Sequence, residues 1–470
     1  MTALHDLTAL EQASAVRRRE TSARELVEHY AERITAHDAT VGAFVTTTLD
    51  AAREQADAAD AAVARGGDLP PLHGVPIGFK DLNLTAGVRT TLGSRAFADH
   101  VPQVSDHVVQ RLLDAGTISL GKTSAPEFGL PCYTEPDVAP PARTPWDLTR
   151  SAGGSSGGAA AAVAAGLLPV AQGSDGGGSI RIPASACGLF GIKPARGRVS
   201  GGPVAPDVNG LGVNGPLART VRDADALLDA MPGPMPGDPH WAPPPDRSFL
   251  ASCDEEPGRL RIGRYCDNGM LALGLDPQCA AAYEQASALL EQLGHVVEDV
   301  PPPFDPSLVL SFQVLWAVSA AGVPVSPGKE ELLRPLTRWL REQGRATPAP
   351  RFAGALAVLQ LASRRAVTAT AAFDAVLTPT LAQLPAPLGW FVEAGDTAEE
   401  FARMVAFTPF TATYNSTGQP AVSLPLHWTP DGLPVGVQLV GRPADEATLL
   451  RLSAQLEAAR PWRGRHPDQW

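Results

Sequence analysis

Residues 150–194 read RSAGGSSGGAAAAVAAGLLPVAQGSDGGGSIRIPASACGLFGIKP. Two glycine-rich turns each present serine: Ser155 and Ser156 in the first, Ser179 in the second. An alanine-rich segment, residues 159–165, separates them. Glycine adopts backbone angles closed to other residues and lets the main chain approach a ligand closely. A turn such as Gly176-Gly177-Gly178-Ser179 can therefore aim several N–H groups at one point, the arrangement that stabilises a developing oxyanion. One loop could carry both a nucleophile and its oxyanion hole.

A serine hydroxyl is a weak nucleophile and needs a nearby base. The chain has ten histidines, but no G-x-S-x-G elbow surrounds Ser179. His73 stands near Lys80 in sequence and reads as a packing or supporting residue. A lysine can act as base if its amine is neutral at working pH. Val75, Pro76, Ile77, Phe79 and Leu82 make the neighbourhood of Lys80 apolar. Desolvation there would disfavour the ammonium form. The apolar run 75–79 predicts a buried strand that delivers Lys80 to its end. Most lysines are solvated surface charges, and on pattern alone that alternative stays open.

The combination GGSSGG, a small-residue helix, then GSDGGGSIRIPAS and GIKP resembles the core of the amidase signature enzymes. Residues 72–81 (LHGVPIGFKD) match that family's lysine segment, and 373–380 (FDAVLTPT) and 418–421 (GQPA) match its later landmarks. The resemblance covers most of the chain and is weakest between about residues 232 and 371. It implies an α/β fold with a large mixed, mostly parallel central sheet covered by helices on both faces. It implies one amidase domain over residues 1–470, with a helical segment at about 305–371 shaping a substrate channel.

The same resemblance implies an amidohydrolase that works through an acyl-enzyme. Ser179 would be the nucleophile, Lys80 the ultimate base and acid, and Ser155, preceded by a cis peptide bond, the proton relay. Backbone N–H groups of Gly176, Gly177 and Gly178, with that of Ser179, would form the oxyanion hole. Asp175 and Arg181 would support the loop. Gly176 stands where relatives often carry a larger residue, but its backbone donor remains. Phe128, Cys132 and Tyr133, in a loop-like stretch, are candidates for a pocket mouth, with ordinary packing as the alternative. Asn415 and Gln438 are candidates for substrate contact, with backbone satisfaction as the alternative. GSDGGGSIRIPAS is similar to bacterial enzymes that take apolar, aryl or lactam-type amides, including nylon-oligomer cyclic-dimer hydrolases. The expected substrate is a small, neutral or apolar amide, and side esterase activity stays open. Two alternatives stand beside this: the glutaminase subunit of a transfer-RNA amidotransferase, and a non-catalytic ligand-binding relative. No cofactor and no metal are expected.

Bulk properties narrow the field further. The 470 residues are 44% hydrophobic and carry a net charge of -12. That charge gives no electrostatic support to nucleic-acid binding. The five cysteines lack close pairs and metal-site spacing, which points to reduced thiols and a cytoplasmic setting. The first twenty residues contain no apolar signal-peptide core. The longest apolar run, residues 159–170, is broken by Gly166 and Pro169 and is too short to span a bilayer. The expected partner is a small-molecule amide, with no nucleic acid and no membrane; a homodimer stays open.

One motif misleads. Residues 116–123, GTISLGKT, match the P-loop pattern letter for letter. A P-loop needs a strand before its first glycine and a helix after its threonine. Here a helix ends at Gly116, a strand follows, and Pro126 lies just beyond. Elsewhere, Ser22 with Glu25 predicts a capped helix. The strand–helix–strand rhythm over residues 259–300 predicts parallel pairing.

Overall fold

The computed structural model describes residues 3–205, 208–468 and 470. The chain runs through eleven strands: β1 (Phe44–Thr47), β2 (Pro76–Lys80), β3 (Ile118–Thr123), β4 (Val170–Asp175), β5 (Phe190–Lys193), β6 (Val213–Ala218), β7 (Arg261–Arg264), β8 (Val296–Asp299), β9 (Ala375–Pro379), β10 (Ala421–Trp428) and β11 (Pro434–Gly441). They form one sheet in the order β1-β3-β2-β4-β6-β5-β10-β11-β9-β7-β8.

The sheet is large and mixed, as expected, but its balance differs from the expectation of a mostly parallel one. Among the described residues the pairs β2–β3, β2–β4, β7–β8 and β7–β9 are parallel. The other six ladders are antiparallel. The reason is an inserted strand. β4 and β5, joined through the helix Arg181–Cys187, run in the same direction, yet β6 lies between them and opposes both. The rhythm over 259–300 does give parallel β7 and β8.

Successive strand residues face opposite sides of a sheet, and two sets of helices use the two faces. On one side Ile77, Phe79, Leu377, Leu424 and Val437 join a core with the helices Val221–Ala230, Pro277–Gln292 and Glu446–Ala459. On the other, Ala171 and Leu217 pack with the helices Ala23–Val41, Leu49–Arg65 and Gly157–Ala164. Further along that face Val376 and Val440 pack with the helices Leu308–Gly322 and Ala349–Thr370. The helix Gly157–Ala164 is buried on every side, which explains its composition: nothing larger than valine is used.

Local signals acted as written. Ser22 accepts from the N–H of Glu25, and the Glu25 carboxylate accepts from the Ser22 N–H. Residues 118–123 of the P-loop look-alike are a β-strand, and the Lys122 ammonium donates to Asn83 O and Thr85 Oγ1 instead of facing a loop. His73 is buried, with Nε2 3.1 Å from Ala59 O. All five cysteines are free thiols. Among the described residues no helix is long and apolar enough to cross a membrane, and no cluster could hold a metal ion.

Candidate active site

β2 and β4 are neighbouring parallel strands, so their carboxyl ends lie side by side. β2 ends on Lys80 and β4 on Asp175. The Lys80 backbone N–H donates to Gln172 Oε1 at 3.0 Å, which pins the strand end. The Lys80 side chain is fully buried. Its Nζ lies 2.8 Å from Ser155 Oγ, 3.0 Å from Ser174 Oγ and 3.1 Å from Ser174 O. Burial brings the Lys80 ammonium down to about 7, with the Asp175 carboxylate pulling the other way. The amine is therefore poised near neutrality.

Ser155 follows a cis peptide bond with Gly154. A Cβ on Gly154 would stand 2.7 Å from the Tyr133 backbone, so only glycine permits this close approach. The two serine turns are tied together: the Ser156 N–H donates to Ser179 O at 3.1 Å. Ser179 opens onto a cavity, and among the described residues its Oγ makes no hydrogen bond.

Beneath the second turn lies a buried ion pair. Arg181 Nη2 and Nε donate to Asp175 Oδ1 and Oδ2 at 2.9 and 3.0 Å, with both side chains at 0% exposure. Burial alone would raise the Asp175 pKa. The Arg181 charge and its hydrogen bonds win and hold the carboxyl well below the usual range. Asp175 also accepts from the N–H groups of Gly178 at 2.7 Å and Ile180 at 3.2 Å. This corrects one expectation. The Gly178 N–H is committed to Asp175, so the expected set of oxyanion donors narrows to Gly176, Gly177 and Ser179. Gly178 serves the turn instead, at φ 126°, where a Cβ would meet Thr411 Oγ1 at 2.4 Å. The Thr411 hydroxyl donates to Gly177 O at 2.7 Å and closes the loop from the other side.

The three expected substrate contacts are also corrected. Tyr133 is buried, stacks on Phe391 with centroids 4.6 Å apart, and donates its hydroxyl to Glu400. Phe128 packs edge-on against Phe97 and is not part of the cavity wall. Asn415 is spent on support: its amide donates to Asp175 O, Asp175 Oδ1 and Leu211 O, and its oxygen accepts from Arg181. Gln438 likewise accepts from Arg181 and donates to Thr378 and Phe410. The loop does reach the cavity, but through Leu130, Pro131 and Cys132.

That cavity is open and largely apolar. One wall comes from the helices Leu308–Gly322 and Ala349–Thr370, through residues such as Phe312, Trp316 and Leu359. A second comes from Phe401 to Ser416, outside the segment 305–371. Among the described residues Asp305 is the one charged residue of the lining, and it is exposed.

Comparison with known proteins identifies the family. A model of the amidase family matches residues 25–450. The chain belongs to the amidase family. A putative amidase of Synechocystis sp. is 38% identical over 98% of this chain and 90% of its own length. A 6-aminohexanoate-cyclic-dimer hydrolase of Paenarthrobacter ureafaciens is 38% identical over 98% of this chain and 96% of its own. The solved structure of a 6-aminohexanoate cyclic dimer hydrolase complexed with substrate matches with a TM-score of 0.90, at 33% identity and 100% coverage of both chains. The protein is an enzyme that hydrolyses amide bonds.

In this amidase the buried Asp175–Arg181 pair is the keystone of the glycine-rich turn that carries Ser179. Replacing one member of such a pair leaves an uncompensated buried charge, at a cost of about 3–5 kcal/mol. Asp175→Asn should therefore lower stability to chemical denaturation by about that amount. It also puts an amide where the Gly178 and Ile180 N–H groups need an acceptor. A stability within experimental error of the parent would show that the loop does not depend on the carboxylate.

Three supporting residues escaped sequence reasoning: Gln172, Ser174 and Thr411. Ser174 had the best local signal, lying beside Asp175 at the end of β4, just before the glycine-rich turn. Thr411 had none, because its contact with Gly177 joins residues 234 positions apart.

Proposed function

We propose that the amidase cleaves small apolar amides through Ser179, Ser155 and Lys80. The observation that carries this is a buried amine 2.8 Å from Ser155 Oγ, beside a turn whose own serine opens on an apolar cavity. Neutral Lys80 takes the proton of Ser155 as Ser155 takes that of Ser179. The Ser179 oxygen attacks the amide carbon, and the carbonyl oxygen becomes an oxyanion against the N–H groups of Gly176, Gly177 and Ser179. The proton returns through Ser155 to the departing nitrogen, the C–N bond breaks, and an acyl-enzyme remains. Water then takes the place of the amine: its proton enters the relay, its oxygen bonds to the acyl carbon, and Ser179 leaves with the proton restored. The Ser155–Ser179 hydrogen bond closes when substrate is bound, as catalytic contacts often do. No step requires a metal or cofactor.

The chain acts in this reading as one catalytic domain, and the helical segment 305–371 forms a channel wall. Five free thiols support a reducing, cytoplasmic setting. The apolar lining supports neutral acyl groups, and the relative that opens a cyclic dimer supports including lactams among the substrates. The glutaminase alternative is disfavoured by charge: among the described residues no lysine, arginine or histidine lines the cavity to hold the carboxylate of glutamine.

The test is a hydrolysis panel of aliphatic, aryl, lactam, peptide and ester substrates plus glutamine, with products identified by mass. Neutral apolar amides should be cleaved and free glutamine left intact. A preference for glutamine, or for amino-acid amides bearing a free carboxylate, would overturn the substrate assignment.

A further inference from the structure

The donor loop has an aromatic roof. A Cβ on Gly176 would stand 3.4 Å from Trp316 Cη2, and a Cβ on Gly177 would stand 3.6 Å from Phe312 Cζ. Phe312 and Trp316 lie four residues apart on the helix Leu308–Gly322, a spacing that brings side chains together. Their rings stack with centroids 5.3 Å apart and planes 23° from parallel. Trp316 is anchored by its indole N–H, which donates to Leu130 O at 3.3 Å. Both rings line the cavity with Gly177 and Ser179. The cavity lining also includes the aliphatic residues Leu130, Pro131, Ile182 and Met404 and the further aromatics Phe304 and Phe401.

A carbonyl oxygen held by the donor loop therefore places its own substituent beside the rims of two aromatic rings, whose positive edges suit the negative face of a planar, conjugated group. Aromatic pairs gain from their quadrupoles beyond what area burial supplies. A saturated ring gains only the burial. Gly176 makes this possible: a methyl at that position would already touch the indole, and a larger side chain would push it away.

We propose that the Phe312–Trp316 stack is the specificity-determining wall of the acyl site, and that it selects amides whose carbonyl carries a planar, conjugated substituent. The proposal rests on Ser179 being the acylated residue.

The experiment compares benzamide with cyclohexanecarboxamide, which have the same number of heavy atoms. The two amides differ in intrinsic reactivity, so the informative quantity is how their kcat/KM ratio changes between proteins. Trp316→Leu and Phe312→Leu should each shift the ratio about three- to tenfold toward the saturated amide. Gly176→Val should shift it the same way, by displacing the indole while the backbone donor stays. Calorimetry of both amides on Ser179→Ala, which cannot be acylated, reads the wall without turnover; benzamide should bind more tightly, and adding Trp316→Leu should remove the difference. Ratios unchanged in both leucine variants, or equal affinities on Ser179→Ala, would overturn the proposal. If neither amide is hydrolysed but benzamide still binds better, the wall stands and the acylation scheme is what fails.

Discussion

Ser179→Ala should lose turnover by about ten-thousand- to million-fold, the scale seen when a serine nucleophile is removed. The parent protein should gain one covalent adduct in the mass spectrum after treatment with an apolar sulfonyl fluoride, and the variant none. The loss cannot be blamed on unfolding. Ser179 Oγ has no hydrogen-bond partner among the described residues, so its removal leaves no buried group unpaired. Stability should stay within about 0.5 kcal/mol of the parent. The neighbouring hydroxyls make the experiment discriminating. Ser155, Ser156 and Ser174 all remain; Ser155 and Ser174 contact Lys80 Nζ, and Ser156 donates to Ser174 O. An adduct that persists in Ser179→Ala would assign the nucleophile to one of these and reverse the relay.

The residues on which that experiment rests were legible because their signals are local. Glycines dense around serine, and apolar neighbours on both sides of Lys80, are properties of a few consecutive positions. The position of Lys80 at a buried strand end follows from the run 75–79 alone. What could not be read is direction. Cys132 and Tyr133 are adjacent, yet one faces the cavity and the other donates to Glu400, 267 residues away. Asn415 carries an amide suited to a ligand, but three acceptors and Arg181 on distant elements had already claimed it. The Gly178 N–H shows the same limit at shorter range. It belongs to a turn that was correctly located, and only the packing of Asp175 decides that this donor points inward. Strand direction failed for a related reason: β6 comes from residues 213–218 and enters between two strands that local rhythm alone would pair.

Lys80→Met should separate catalysis from stability in opposite directions. Removing the base should lower kcat/KM by about a hundred- to ten-thousand-fold. The parent should show why: with the amine at about 7, its kcat/KM rises as pH increases through that value and levels off above it, because only the uncharged amine accepts the Ser155 proton. Meanwhile the variant should be more stable than the parent at neutral pH. Burial depresses the folded-state pKa below the ordinary 10.5, so between about 7 and 10.5 the unfolded chain binds a proton that the folded chain does not. Parent stability therefore gains from this group as pH rises through that window. Below it both states are protonated, and the full penalty of a buried ammonium applies. Methionine has a similar shape and no charge, so the difference between variant and parent should be greatest below pH 7 and shrink toward zero near pH 10.5. The difference is the quantity to measure, since Lys193 and Lys122 are also buried, with amines near 7 and 8, and tilt both proteins alike. Ser174 O keeps a partner in the variant, because the Ser156 hydroxyl donates to it at 3.1 Å. A flat difference across pH 6 to 10, with activity retained, would mean that the amine at position 80 is neither desolvated nor the base, since both effects come from the same buried lysine.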